Sequence, residues 1–357
     1  MLLFDRIALS LPIIQAPMAG VSTPDMAAAV SNAGGLGSIA VGATDAAGAR
    51  TMIAQVRART DRPFNVNLFV HRTARPDPAR EAAWLAWLAP QFAAFGAAPP
   101  PALRTIYRSF ADDPDMLALL LEVAPPVVSF HFGLPNAAAI VALKQRGIVL
   151  LATATCGDEA ERIAAAGIDA IVAQGIEAGG HRGMFDPAAP DDALGTMALT
   201  RLLVRSAPIP VVAAGGIMDG AGIAAALDLG AVAAQLGTAF VACAESAADE
   251  AYRRALAGPA AAHTVMTALI SGRPARALPN RFTALGAAND PPCLLSPPDY
   301  PIAYDAGKAL HAAARAQGEH GFGAQWAGQG APLARNMPAG ALVAVLGEEL
   351  RMIRRPT

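Results

Sequence analysis

A parallel α/β barrel of the TIM (β/α)8 type is the fold this sequence predicts, and three observations predict it. Short, wholly apolar runs alternate with helix-length segments at a repeat of about thirty residues, the rhythm of βα units. The runs leave no polar face, as strands covered on both sides require. Pro210 to Phe240, PVVAAGGIMDGAGIAAALDLGAVAAQLGTAF, then places a glycine turn after each of two consecutive strands. In an eight-fold barrel the loops after strands seven and eight form the usual phosphate cradle. No G-x-G-x-x-G follows the first strand, which disfavours an open dinucleotide-binding sheet.

Taken in order, Ile13–Ala16 is the first strand, and Thr23 caps a helix with Pro24 at its first position. Gly35–Ala40 is the second strand, and Asp45–Arg59 its helix. Phe64–Phe69 is the third, and its two asparagines need partners inside a buried sheet. Asn67, nearer the C-terminal end, is a cofactor-contact candidate, and Asn65 an internal hydrogen-bonder. Residues 71–125 are too long for one crossover and read as a helical insertion carrying Trp84 and Trp87. The remaining strands are Val127–Phe130, Ile148–Ala152, Ala170–Ala173, Val211–Ala214 and Ala231–Leu236, with Asp219 capping the helix Gly222–Leu229. After Ser246 the alternation stops, and no strand pattern is convincing. The expected organisation is a barrel over residues 1–245, interrupted at 71–125, and a mainly helical C-terminal cap over 246–357.

Composition narrows the function. The 357 residues are 54% hydrophobic and 16% charged, which suits a large buried core and not disorder. A net charge of −2 gives no electrostatic reason to expect nucleic acid or an anionic membrane. Cys156, Cys243 and Cys293 are far apart and lack metal-site spacing, so a reduced, cytoplasmic protein is expected. The N-terminal apolar run is broken by Pro12 and makes a poor signal peptide. The uncharged stretches are studded with glycine, so no membrane span is expected.

Barrel sites lie at the C-terminal ends of the strands. Those positions offer no close carboxylate pair, no metal-binding cluster and no lysine for a Schiff base. What remains is a phosphate cradle, hydrogen-bonding amides and His131, a site that lets a bound cofactor do the difficult chemistry. A single phosphate, an uncharged planar ring and an apolar mouth point to flavin mononucleotide (FMN). His131 at a strand end either handles a proton or closes a loop. His181, in Gly-Gly-His-Arg-Gly, either reaches a phosphate or substrate or stabilises its turn, and Glu177 ties the same loop down. In PDYPIAYDAGKAL, Tyr300, Tyr304 and Lys308 recur at spacings of four on one helical face. That face is either a small-anion site or an amphipathic surface stripe.

The ordered set QAPMAG, FNVNLF, SFHFGLP, AQGIEAGGHRG, AAGGIMDG and QLGTAFVACAES resembles the nitronate monooxygenases, a flavin-dependent barrel family once called 2-nitropropane dioxygenases. The resemblance runs from Pro12 to about Leu310 and is nearest the bacterial class I enzymes. It implies a catalytic role for His131 and substrate binding by Tyr107, Tyr300, Tyr304 and Lys308, with Tyr252 as a further member. It implies non-covalent FMN held at Met18, Asn67, Gln174, Gly179, Gly216, Gln235, Leu236, Gly237 and Thr238. The implied reaction is oxidation of an alkyl nitronate by O2 to a carbonyl compound and nitrite, by way of a flavin semiquinone. Propionate 3-nitronate, a toxin, is the implied substrate and detoxification the implied role. No metal is implied, and the chain is expected to be a monomer or homodimer. The rival on the same barrel is an NAD(P)H-dependent flavin reductase acting on quinones or enoyl thioesters. A flavin-free barrel, such as an aldolase, is the rival from another class.

Overall fold

The computed structural model describes residue 7, residues 9–286 and residues 296–354. Among the described residues, nine strands occur before residue 240: β1 (Ile13–Gln15), β2 (Gly37–Ala40), β3 (Phe64–Phe69), β4 (Val127–His131), β5 (Val149–Ala154), β6 (Ala170–Gln174), β7 (Gly180–His181), β8 (Val211–Ala214) and β9 (Ala233–Leu236). All but β7 pair in parallel, in the order β1-β9-β8-β6-β5-β4-β3-β2. A parallel bridge between Ile14 and Leu36 joins the two ends of that order into a barrel. The predicted (β/α)8 fold is therefore the fold found.

Every residue of β1, β2, β5, β6 and β8 is buried. Neighbours along a strand serve opposite faces. Leu151, Val172 and Val212 share one core, while Leu150, Ile171 and Val211 pack in another with the surrounding helices. The helix Pro24–Asn32 lies so close to β2 that a Cβ on Gly37 would stand 1.9 Å from the Ala27 carbonyl oxygen. The predicted caps are in place: Thr23 accepts from the Met26 amide at 3.0 Å and Asp219 from the Gly222 amide at 2.8 Å. Each such cap stabilises its helix by about 1 kcal/mol.

Two regions depart from the sequence reading. The segment after β3 holds the helices Pro78–Ala93 and Pro114–Val123, and the second packs between Ala46–Arg57 and Ala137–Gln145 in the outer ring. It is the ordinary crossover helix, so the added part is shorter than residues 71–125. The first helix leaves the barrel and packs on Ile302–Ala316, where Trp84, Leu88 and Phe92 meet Phe282 and Leu310. Arg80 reinforces that contact with an ion pair to Asp299 at 2.7 Å.

Beyond residue 246 the described residues hold two short strands where none was expected, β10 (Val265–Thr267) and β11 (Ala275–Ala277). They pair antiparallel, and β11 also pairs with β7, setting Ala275 opposite His181. Three-residue strands are too short to display an alternation. The final helix, Ala339–Ile353, lies between Gly220–Asp228 and Pro24–Asn32, the ring position of an eighth barrel helix. Glu245 caps its start, accepting from the Ala339 amide at 2.9 and 3.1 Å. Among the described residues no helix is long and apolar enough to cross a membrane.

Candidate active site

The C-terminal ends of the strands open into a cavity of about 790 Å³, within the range of roughly 300–1,000 Å³ usual for small-molecule and cofactor sites. Its floor is built by the barrel. Ala214 of β8 faces Gln235 of β9, so Gly215-Gly216 and Gly237-Thr238 emerge side by side, and all four line the cavity. Gly215 and Gly216 have φ of 122° and 68°, a left-handed backbone that a glycine pair supplies without strain. Met18, Asn67, Gln174, Gly179 and Gln235 also line the floor. A Cβ on Gly179 would stand 2.5 Å from the Gly328 nitrogen, so backbone closes directly over it.

The floor side chains are held by bonds of their own. Asn67 donates to the Ser129 carbonyl at 3.2 Å and to its hydroxyl at 2.9 Å. Gln174 donates to the His181 carbonyl at 3.0 Å and accepts from the Gly183 amide at 2.7 Å. Asn65 is the internal hydrogen-bonder expected, donating to Ser38 and Ser129 at 3.2 and 2.9 Å. The Glu177 carboxylate accepts from the Thr196 amide and hydroxyl, the loop-tying role expected of it. Leu236 differs from the rest of its run in where its side chain lies. Strand alternation turns its side chain away from the cavity, into a core with Met26 and Ile223.

The wall joins β4 to the C-terminal residues. The Nε2–H of His131 donates to the His181 carbonyl at 3.2 Å, which leaves Nδ1 to accept from the Thr153 hydroxyl at 3.0 Å. Burial moves the His131 pKa down to about 4; the His181 carbonyl opposes the shift, and the charges of Arg273 and Arg182 add to it. His181 bonds Ser271 at 2.8 Å and falls to about 3, by burial first and then by Arg273 and His131. Both imidazoles are neutral near pH 7. Burial raises the Tyr107 and Tyr304 phenols to about 12, and Tyr300 well above its ordinary 10. All three remain hydrogen-bond donors.

Lys308 is exposed, with its ammonium 5.1 and 5.3 Å from the ring centres of Tyr107 and Tyr304. It has no carboxylate partner among the described residues. Tyr304 and Lys308 share the face of Ile302–Ala316, as their spacing predicts. Tyr300 does not, because the helix begins after Pro301, yet the preceding turn still brings it to the cavity, 5.5 Å from the His181 ring. Tyr252 lines the cavity too, with its hydroxyl already donating to the Trp326 carbonyl. Ser271, Arg273 and Trp326 escaped the sequence reading. They carry no periodic signal and become neighbours only through the pairing of β11 with β7. Cys243 is buried and Cys156 half-buried, and Cys293 lies outside the described residues.

Asp249 is the one acidic side chain lining the cavity among the described residues. Left-handed glycines at the floor, with neutral imidazoles, phenols and an unpaired ammonium at the wall, make a chamber suited to an anion.

Comparison with known proteins agrees with that chemistry. A family model described as nitronate monooxygenase matches residues 2–349. A nitronate monooxygenase of Paraburkholderia phytofirmans is 64% identical over 98% of this chain and 94% of its own length. One of Pseudomonas aeruginosa is 60% identical over 95% of this chain and 96% of its own. Among solved structures, nitroalkane oxidase from Streptomyces ansochromogenes superposes with a TM-score of 0.88 at 43% identity, covering 99% of this chain and 98% of that one.

Proposed function

This chain belongs to the nitronate monooxygenase family, and on that premise we propose that it uses FMN and O2 to oxidise alkyl nitronates to a carbonyl compound and nitrite. We further propose propionate 3-nitronate as substrate, in a detoxifying role in the cytoplasm. The observation that carries the reading is a wall of neutral imidazoles and phenols with an unpaired ammonium, facing a floor of left-handed glycines.

FMN suits the floor. Gly216, Gly237 and Thr238 would hold its phosphate on adjacent strand ends, and Met18, Asn67, Gln174, Gly179 and Gln235 would contact the rest, with Leu236 contributing backbone alone. When bound, the flavin supplies the electron transfer between nitronate and O2.

The chain's own residues do the remaining work. The nitronate arrives deprotonated, so Tyr107, Tyr300, Tyr304 and Lys308 need only bind and orient it. Each charge-assisted bond is worth about 1.5–3 kcal/mol. The Tyr300 hydroxyl is buried without a partner among the described residues, which leaves it free to donate. For a neutral nitroalkane the His131 Nδ1 lone pair takes the proton once the Thr153 hydroxyl turns aside. The described residues between 246 and 338 close the chamber as the cap, and Ala339–Ile353 returns to the barrel's outer ring.

Anaerobic stopped-flow mixing tests the reading. Propionate 3-nitronate should change the flavin absorbance rapidly, NADH should not, and admitting O2 should release nitrite. Rapid bleaching by NADH with nitronate inert would make the protein a flavin reductase. A preparation that stays colourless after FMN is added would make it a flavin-free barrel.

A further inference from the structure

Arg273 is only 3% exposed. Its guanidinium donates to the Met184 carbonyl and stacks 4.2 Å from the centre of the Phe132 ring, while its Nε has no partner among the described residues. Among the described residues no carboxylate comes within ion-pair distance. The nearest acids are engaged elsewhere: Glu159 accepts from Thr155 and from the Phe185 amide, and Asp186 pairs with Arg72 at 3.1 Å. A buried and unpaired guanidinium is costly to keep. Phe132, which separates it from the chamber, lines the cavity and touches the His131 ring at 4.4 Å and the His181 ring at 5.7 Å.

We propose that Arg273 supplies a fixed positive charge from behind the aromatic wall and, with Lys308, sets the affinity of the chamber for anions. The two charges differ in kind. Lys308 is exposed, and salt screens its field. Arg273 acts through protein, where mobile ions cannot enter and the field carries further. Burial with Arg273 nearby also keeps both histidines neutral, so the wall does not repel its own cation. The identity of the anion as a nitronate rests on the function proposed above; the anion site itself does not.

The test uses nitrate, a planar oxyanion that cannot react, titrated into the flavin-loaded protein at roughly 20 and 500 mM of a salt whose anion is too bulky to enter. Lys308→Met should remove the salt-dependent part of the affinity. Arg273→Met should weaken nitrate about tenfold at both salt levels, and Arg273→Lys should restore most of that loss. The KM for a neutral nitroalkane should stay within about twofold in Arg273→Met, which a merely structural role would not allow. Unchanged nitrate affinity in Arg273→Met, with wild-type Tm and flavin spectrum, would overturn the proposal. So would a loss that disappears at high salt. If Arg273→Met does not fold, Lys308→Met decides: nitrate binding retained at high salt supports the proposal, and complete loss overturns it. Wild-type nitronate turnover, followed separately, shows whether the functional reading has failed instead.

Discussion

At the floor of the chamber Gly215, Gly216, Gly237 and Thr238 each follow their strand within two residues, whereas the wall collects His131, His181, Tyr300, Tyr304 and Trp326 from segments scattered between residues 131 and 326. The floor is backbone placed by adjacent parallel strands. The wall is side chains placed by one antiparallel pairing, β7 with β11, and by ring contacts of 4.4 to 6.4 Å. The first depends on what a position lacks, a Cβ. The second depends on what it carries.

The largest expected effect breaks the floor. Gly179→Ala would drive a methyl group into the backbone of Ala327 and Gly328, which lie 2.6 and 2.5 Å from its Cβ position. Displacement of that backbone at a cost of about 3 kcal/mol would weaken flavin binding by about a hundredfold. The check is flavin retained through gel filtration. A variant that stays fully yellow would show that the floor tolerates side chains. Next is the wall. His131→Asn should lower turnover of neutral nitroalkanes by about 10²–10⁴-fold and that of nitronates by no more than about tenfold. Equal losses in steady-state assays would remove the divided role given to this histidine.

The smallest effect separates the regions by pH. An unfolded-chain histidine titrates near 6.5, while His131 titrates near 4 and His181 near 3 in the folded protein. As pH falls below about 6.5 the unfolded state takes up protons that the folded state refuses, so stability drops. Above that pH these groups contribute no slope. Tm measured between about pH 4.5 and 7.5 should show the fall, and His131→Asn should flatten part of it. An unaltered slope would mean that this histidine is more accessible to protons than its burial implies.

The same contrast explains what was legible in the chain. β3 and β8 match their predicted bounds because an apolar run between turn residues is a local signal. Thr23 and Asp219 were readable as caps, and the strand-end glycines as a floor, for the same reason. Lys308 and Tyr304 were found by helical spacing. Tyr300 was found by a spacing argument that the structure does not honour, since it precedes its helix. Arg273 and Ser271 were missed because a short Ser-Gly-Arg-Pro segment says nothing of a partner strand some ninety residues earlier. Leu236 needs a distinction of another kind, between its side chain, which lies in the core, and its backbone. Naming a contiguous run as cofactor contacts overlooks that successive strand residues face opposite ways.

One consequence concerns how the molecule is made. Ala339–Ile353 covers a surface that includes Ile13, Met26, Ile223 and Leu236. A chain still emerging from the ribosome therefore has all eight staves once β9 is made, but an uncovered seam until Ala339–Ile353 follows. Truncation at the start of this helix would leave that greasy seam open to other chains or to proteases. The barrel thus stays unsealed until this helix arrives, and a copy that stops short of it is marked by its own exposed surface.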